Sequence, residues 1–312
     1  MIDVNKDDIA NVRNTLINLP KGVLLADTRL DKKYINPIHD TKNDEKLSYT
    51  TQDKYFTMIR SFLKWAVDEE LIPEMPGRNI KLIKNPKSDR GSDREPYSMA
   101  QLEKIFASPL YTGSKSHSRR VEIGNFKTQD AYYWIPLVAL FSGMRLGEIV
   151  QLSTHDLKFE NDVWFFYIGP DADSDKSFKT KTSVRKVPVH NQLINLGFIE
   201  YYKKIKAAKR SRIFYEIDRS ASGDFSGNFS KWWSRYMAKT KIGTASTTFH
   251  SFRHNFIDAL REANVHEDIR RSLAGHTAGN SSDAHSNYGH GTSIKRLKIE
   301  IDKLDYPFLH TH

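Results

Sequence analysis

One stretch decides how this chain can fold. From Lys84 to Pro96 it reads KNPKSDRGSDREP, charged, containing glycine and proline, and without a large apolar residue. A segment with nothing to bury cannot cross a core, so it reads as an exposed connector between two separate bodies. A chain of 312 residues has room for two cores. The sequence therefore divides into a first domain at residues 1–83, a connector at 84–97 and a second domain at 98–312.

The first domain reads as helical. Ile9, Val12, Leu16 and Leu19 recur at helical spacing up to Pro20. After a polar loop, Tyr55, Met58, Ile59, Phe62, Leu63 and Ala66 continue such a pattern between Ser48 and Leu71. That helix carries Lys54, Arg60 and Lys64; Arg60 and Lys64 are candidate phosphate contacts, against the plainer reading of a solvated helix face. In the second domain, Ser98 and Gln101 form a capping-box pattern ahead of Leu102, Ile105 and Phe106. Asp130 to Ser142 is an apolar helix, bent at Gly143 and followed by the short helix RLGEIVQL. VWFFYI (Val163–Ile168) and VRKVPV (Val184–Val189) read as two strands of a hairpin with a long basic tip. From Asp224 onward the pattern is helical, in pieces at 225–239, 250–263, 266–274 and 294–304. The expected fold is mainly α with a small antiparallel β-sheet.

Charge narrows the function. There are 48 Lys and Arg against 38 Asp and Glu, a formal charge of +10 and a pI near 9.4. Such a field favours polyanions, nucleic acid first, although a basic protein that is merely soluble has the same balance. The absence of cysteine excludes disulfides, thiolate nucleophiles and cysteine zinc sites. No export signal or apolar run of spanning length is visible, so no membrane partner and a cytoplasmic setting are expected. A metal is not expected either. Asp171, Asp173 and Asp175 imitate the start of a calcium loop, but Lys176 stands where glycine is required and Thr182 where the closing Glu belongs. His250 and His254 have the spacing of a helical zinc pair without the Glu that serves as base.

Phosphoryl transfer without a metal needs a side-chain nucleophile, cations on the phosphate oxygens and an acid for the leaving oxygen. Arginine suits the second task, since its guanidinium is always charged and forks onto two oxygens. Suitable residues occur in four places. Gly143-Met144-Arg145 sets an arginine at a helix start, with Glu148 after it. Lys179-Thr180-Lys181 lies on the hairpin tip. His250 and Arg253 share a helix face through their i, i+3 spacing. Leu273-Ala274-Gly275-His276 is followed by Tyr288.

In that order, G-x-R-x-x-E, a hairpin Lys, H-x-x-R, L-x-G-H and a downstream Tyr, the set resembles the active site of the tyrosine recombinases, or phage integrases. The helical first domain is similar to that family's core-binding domain, and the second to its α+β catalytic domain. The resemblance implies that Arg145 and Arg253 clamp the scissile phosphate and His276 donates a further hydrogen bond. Tyr288 is then the nucleophile, Lys181 protonates the departing 5′ oxygen and His250 assists proton transfer, with Glu148 as a structural partner. A 3′-phosphotyrosyl link results, with no cofactor. Tyr306 is the fallback nucleophile. Alignment to Val187-Pro188 admits both Lys179 and Lys181; Lys181 is preferred, and Lys179 and Arg185 then join the candidate DNA contacts.

Duplex attachment sites and a tetramer of the chain on DNA follow as implied partners, with an accessory DNA-bending or excision protein. The interval between His276 and Tyr288 is longer and more polar than the family's usual spacing. Ile294, Leu297, Ile301 and Leu304 form a stripe that can dock on its own core or on a neighbouring copy. Family members borne on mobile elements often have an extra arm-binding module, and none is visible ahead of Asp3. Two other readings stay open: a type IB topoisomerase-like relaxing enzyme, and a DNA-binding protein that has lost turnover.

Overall fold

A computed structural model describes residues 4–19, 46–83, 94–169, 184–221, 223–275 and 292–309. The chain separates into two compact units, Met1–Asp93 and Arg94–His312.

In the first unit, α1 (Lys6–Asn18) begins at Asn5. The Asn5 side chain accepts from the amides of Asp7 and Asp8, and the Asp8 carboxylate accepts from the Asn5 amide. This reciprocal cap satisfies donors that a helix start leaves open. Helix α2 (Tyr49–Asp68) is capped by Ser48. The two helices bury Ile9, Leu16, Phe56 and Leu63 in one small cluster with Leu82. Arg60, expected as a phosphate contact, instead donates to the carbonyls of Ile80 at 2.7 Å and Arg78 at 3.1 Å. Its fork is spent pinning the segment after α2 onto that helix. Lys64 is exposed.

The second unit begins earlier than composition suggested. Tyr97, placed in the connector, is buried; its backbone amide donates to the Asn255 side-chain oxygen, its carbonyl accepts from the Asn255 side-chain nitrogen, and its hydroxyl accepts from the Trp233 indole. Its aromatic ring, at the end of a charged run, anchors the chain there together with Glu95, which accepts from the Ser246 and Ser251 hydroxyls. Helix α3 (Met99–Phe106) starts with the expected capping box of Ser98 and Gln101, and α4 (Pro109–Thr112) follows it. Helix α5 (Ala131–Ser142) is buried on nearly every side, as a helix that is apolar all round must be. Helix α6 (Leu146–Val150) leaves it across Gly143.

Three strands, β1 (Leu157–Glu160), β2 (Val163–Ile168) and β3 (Arg185–Pro188), form an antiparallel sheet in that order. Phe166 pairs with Leu157 on one side and Val187 on the other. The sequence suggested only β2 and β3. In β1 Leu157 alone is buried while Lys158, Phe159 and Glu160 are exposed, so no alternation marks it. Its turn, Asn161-Asp162 with φ of 51° and 63°, has the twist that closes a two-residue hairpin.

Beyond the sheet come α7 (Asn191–Asn195), α8 (Phe198–Ala207), α9 (Ser226–Thr240), α10 (Ser251–Glu262), α11 (Glu267–Ala274) and α12 (Ile294–Ile301). The architecture is mainly helical with one small antiparallel sheet, as expected. Helix α12 packs against β2, β3 and α11, and its stripe of Ile294, Leu297 and Ile301, with Leu304 beyond, is buried on its own unit. Among the described residues, no helix is long and apolar enough to cross a membrane.

Candidate active site

The site is built around Gly143. Its φ is 61°, and a Cβ there would lie 2.2 Å from a ring carbon of Phe256 on α10. Glycine is therefore needed twice: for the left-handed turn that ends α5, and for the close approach of α10. That approach lets Arg253, one turn before Phe256, donate from Nη1 to the Gly143 carbonyl at 2.6 Å. Two residues past the glycine, Arg145 caps α6. Glu148 accepts from the Arg145 amide at 2.8 Å and from its Nη1 at 3.0 Å, which leaves the Arg145 side chain 38% exposed.

His250 sits at the start of α10, and His250 and Arg253 line a cavity of about 240 Å³, with Met144 and Leu146 on either side of Arg145 in the chain. Arg253 is only 3% exposed, and its Nη2 finds no hydrogen-bond partner among the described residues. A buried guanidinium nitrogen without an acceptor is costly. Here the residue that carries it lines a cavity of anion size.

Electrostatics tell the same story. Burial first, then the neighbouring His254, Arg253, Arg94 and Arg145, pull the His250 imidazole down to about 4. Burial, Arg145 and Arg185 lower Arg253 to about 10, with Glu148 opposing. Positive charge has been gathered with too little negative charge to balance it, the condition of a site waiting for an anion.

Arg185 behaves differently. It was expected to touch DNA, but its side chain is 6% exposed and faces inward. Nη2 and Nη1 donate to the Glu148 carboxylate at 2.8 and 3.2 Å, and Nε to the Leu273 carbonyl at 3.0 Å. Burial pushes the Glu148 carboxyl up, but its contacts with Arg185 and then Arg145 hold it below the usual carboxylate value. The chain passes over this arginine at Gly275, with φ of 68°, where a Cβ would lie 2.7 Å from Arg185 Nη1. The glycine of the L-x-G-H motif thus makes room for a guanidinium.

The structure brings Arg145, His250 and Arg253 together. Lys179, Lys181, His276 and Tyr288 lie outside the described residues. Tyr306, the fallback nucleophile, is buried against Phe141 and Phe308, and burial raises its phenol far above the ordinary value. It is a core residue. Arg94 and Thr248 also line the cavity and went unread in the sequence: one stands in the charged connector, the other in a polar run, and no spacing singles out either.

Among solved structures, the chain is similar to the Tn1549 transposon integrase in complex with circular intermediate DNA. Identity is 17%, over 97% of this chain and 88% of that one, with a TM-score of 0.54. It is also similar to the XerH site-specific recombinase bound to palindromic difH substrate, at 18% identity over 74% of this chain and 62% of that one, with a TM-score of 0.50. At such identities the likeness is one of fold. No curated protein sequence matches the chain. The family profile for phage integrases, however, matches residues 122–292, more than half of the 312 residues. Together with the order of its motifs, that match places the chain in the phage integrase family, the tyrosine site-specific recombinases.

Proposed function

We propose that this chain is an integrase of a phage or conjugative mobile element that cuts and rejoins duplex DNA at specific attachment sites through a 3′-phosphotyrosyl intermediate on Tyr288. The observation that carries the reading is that Arg253 and a neutral His250 line one cavity, with the charge of Arg145 acting on both and a buried Arg253 nitrogen unpartnered among the described residues. Both arginines neutralise the phosphate oxygens as charge develops on them. The Tyr288 oxygen bonds to phosphorus as the bond to the 5′ oxygen breaks. His250, uncharged at neutral pH, takes the phenolic proton, and Lys181 gives one to the leaving oxygen. The link conserves the phosphodiester's energy, so a 5′ hydroxyl from a second duplex reverses the step without ATP. His276 adds a hydrogen bond to the phosphate, and Lys64 and Lys179 contribute affinity through phosphate contacts that weaken with salt.

The reaction takes place on nucleoid DNA in the cytoplasm. Four copies gather on two paired sites, with an accessory DNA-bending or excision protein setting direction. The Tn1549 integrase was solved with circular intermediate DNA and XerH with its palindromic difH substrate, which supports duplex DNA as the partner. The test is incubation with nicked suicide duplexes of candidate attachment sequence. The expected result is a covalent protein–DNA adduct that disappears in Tyr288→Phe. Binding without an adduct would leave a passive DNA reader, and relaxation of any supercoiled plasmid would point to a topoisomerase.

A further inference from the structure

Arg185, at the first residue of β3, is enclosed with a side-chain exposure of 6%. Taking a guanidinium out of water is costly, and a buried ion pair often adds no more stability than apolar residues of the same volume. What such a pair does supply is fixed geometry, through the rigid fork of the arginine. Here the fork is used on three acceptors at once: both Glu148 oxygens and the Leu273 carbonyl. Each Glu148 oxygen is in turn shared. Oε1 also accepts from Arg145 Nη1, and Oε2 from the Arg145 amide. The carboxylate is thus a bridge with an arginine on either side, one buried and one reaching toward solvent.

The position along the chain adds weight. Arg185 lies four residues after Lys181, and Leu273 three residues before His276. We propose that Arg185 is a positioning residue for strand cleavage. Through Glu148 it sets the guanidinium of Arg145, and through the Leu273 carbonyl it ties β3 to the end of α11. Arg145, the start of β3 and the end of α11 are then held to one another through a single side chain. Gly275 fits this arrangement, since any side chain there would collide with Arg185. Lysine cannot take over, because one ammonium on a flexible stem does not present the planar fork that three acceptors require.

The inference rests on the reading of Arg145 as a phosphate clamp, and its test separates the two. Full-length Arg185→Ala and Arg185→Lys are compared with the wild type for adduct formation on the suicide duplex at saturating protein, for duplex affinity and for thermal midpoint. Small misplacements of reacting groups cost on the order of 100-fold in rate, so Arg185→Ala should lose about that much at saturation, with affinity within about twofold. Arg185→Lys should recover less than a tenth of the loss; it also serves as the readout if Arg185→Ala does not fold. A lowered midpoint with an unchanged saturated rate would make Arg185 a plain stability element and overturn the proposal. Weaker duplex binding at an unchanged saturated rate would make it a DNA contact and overturn it equally. A wild-type chain that forms no adduct sinks the function itself, whereas a wild-type adduct with unimpaired variants sinks only the positioning role.

Discussion

Two faces of the second unit each bury an arginine, and they use it in opposite ways. On the cavity face Arg253 spends one nitrogen on the Gly143 carbonyl and keeps another buried without a partner among the described residues. On the face between α6, β3 and α11, Arg185 has acceptors on all three of its nitrogens. The second arrangement fixes geometry within the fold, whereas the first leaves an unpartnered buried donor, a cost that folding alone does not justify. Burial therefore does not distinguish a working arginine from a framing one; the partners do.

The largest expected effect breaks that contrast at Arg253. Arg253→Lys should lower the cleavage rate about 1,000-fold, as the loss of a preorganised donor costs on the order of 100- to 1,000-fold and a lysine cannot fork. Its unfolding free energy should stay within about 1 kcal/mol of the wild type, because the lost nitrogen was not satisfied. Denaturant titration beside adduct kinetics measures both. A loss of stability in proportion to activity would mean that Arg253 is framing too.

The two glycines rank next. Gly143→Ala and Gly275→Ala each force a side chain onto a left-handed backbone, at a cost of about 1–2 kcal/mol. The former also meets the Phe256 ring at 2.2 Å, the latter the Arg185 guanidinium at 2.7 Å. A packed ring yields less readily than a polar side chain, so Gly143→Ala should be the more destabilising, by about 3 kcal/mol in all. Urea midpoints of the two variants check the order.

The smallest effect sharpens the cavity's charge. His250 titrates at about 4 in the folded chain against 6.5 for the free side chain, so between those values the unfolded chain binds more protons. Stability is then complete above about pH 6.5 and declines as pH falls toward 4. His190 titrates at about 4 as well, through burial first, with Nδ1 accepting from the Gln192 amide and Nε2 facing the Leu304 carbonyl. Acid titration of stability in His250→Gln should therefore show a shallower decline, with the share due to His190 remaining. An unchanged slope would mean that the cavity does not resist protonation of His250.

Much of this was legible in the residues. Ser98 with Gln101 marks the start of α3, Gly143 marks the end of α5, and the ordered motifs point to Arg145, His250 and Arg253. The illegible parts share a cause. Arg60 and Arg185 have the same letters as surface arginines, and only the carbonyls and carboxylate brought up by distant segments turn them inward. Strand β1 has one buried residue and so no alternation to read, while Tyr97 gains its burial from Trp233 and Phe252, far along the chain. Pattern reveals what neighbours in sequence decide, and these residues are decided by neighbours in space.

The short outer strand of the sheet has a last consequence. Among the described residues β1 has no strand on its outer side; it is four residues long and bears Lys158 and Glu160, while β3 packs against α12. So brief and charged a border offers a poor template for strand addition. A partner that docked along this border would be recognised by side chains rather than by lengthening the sheet.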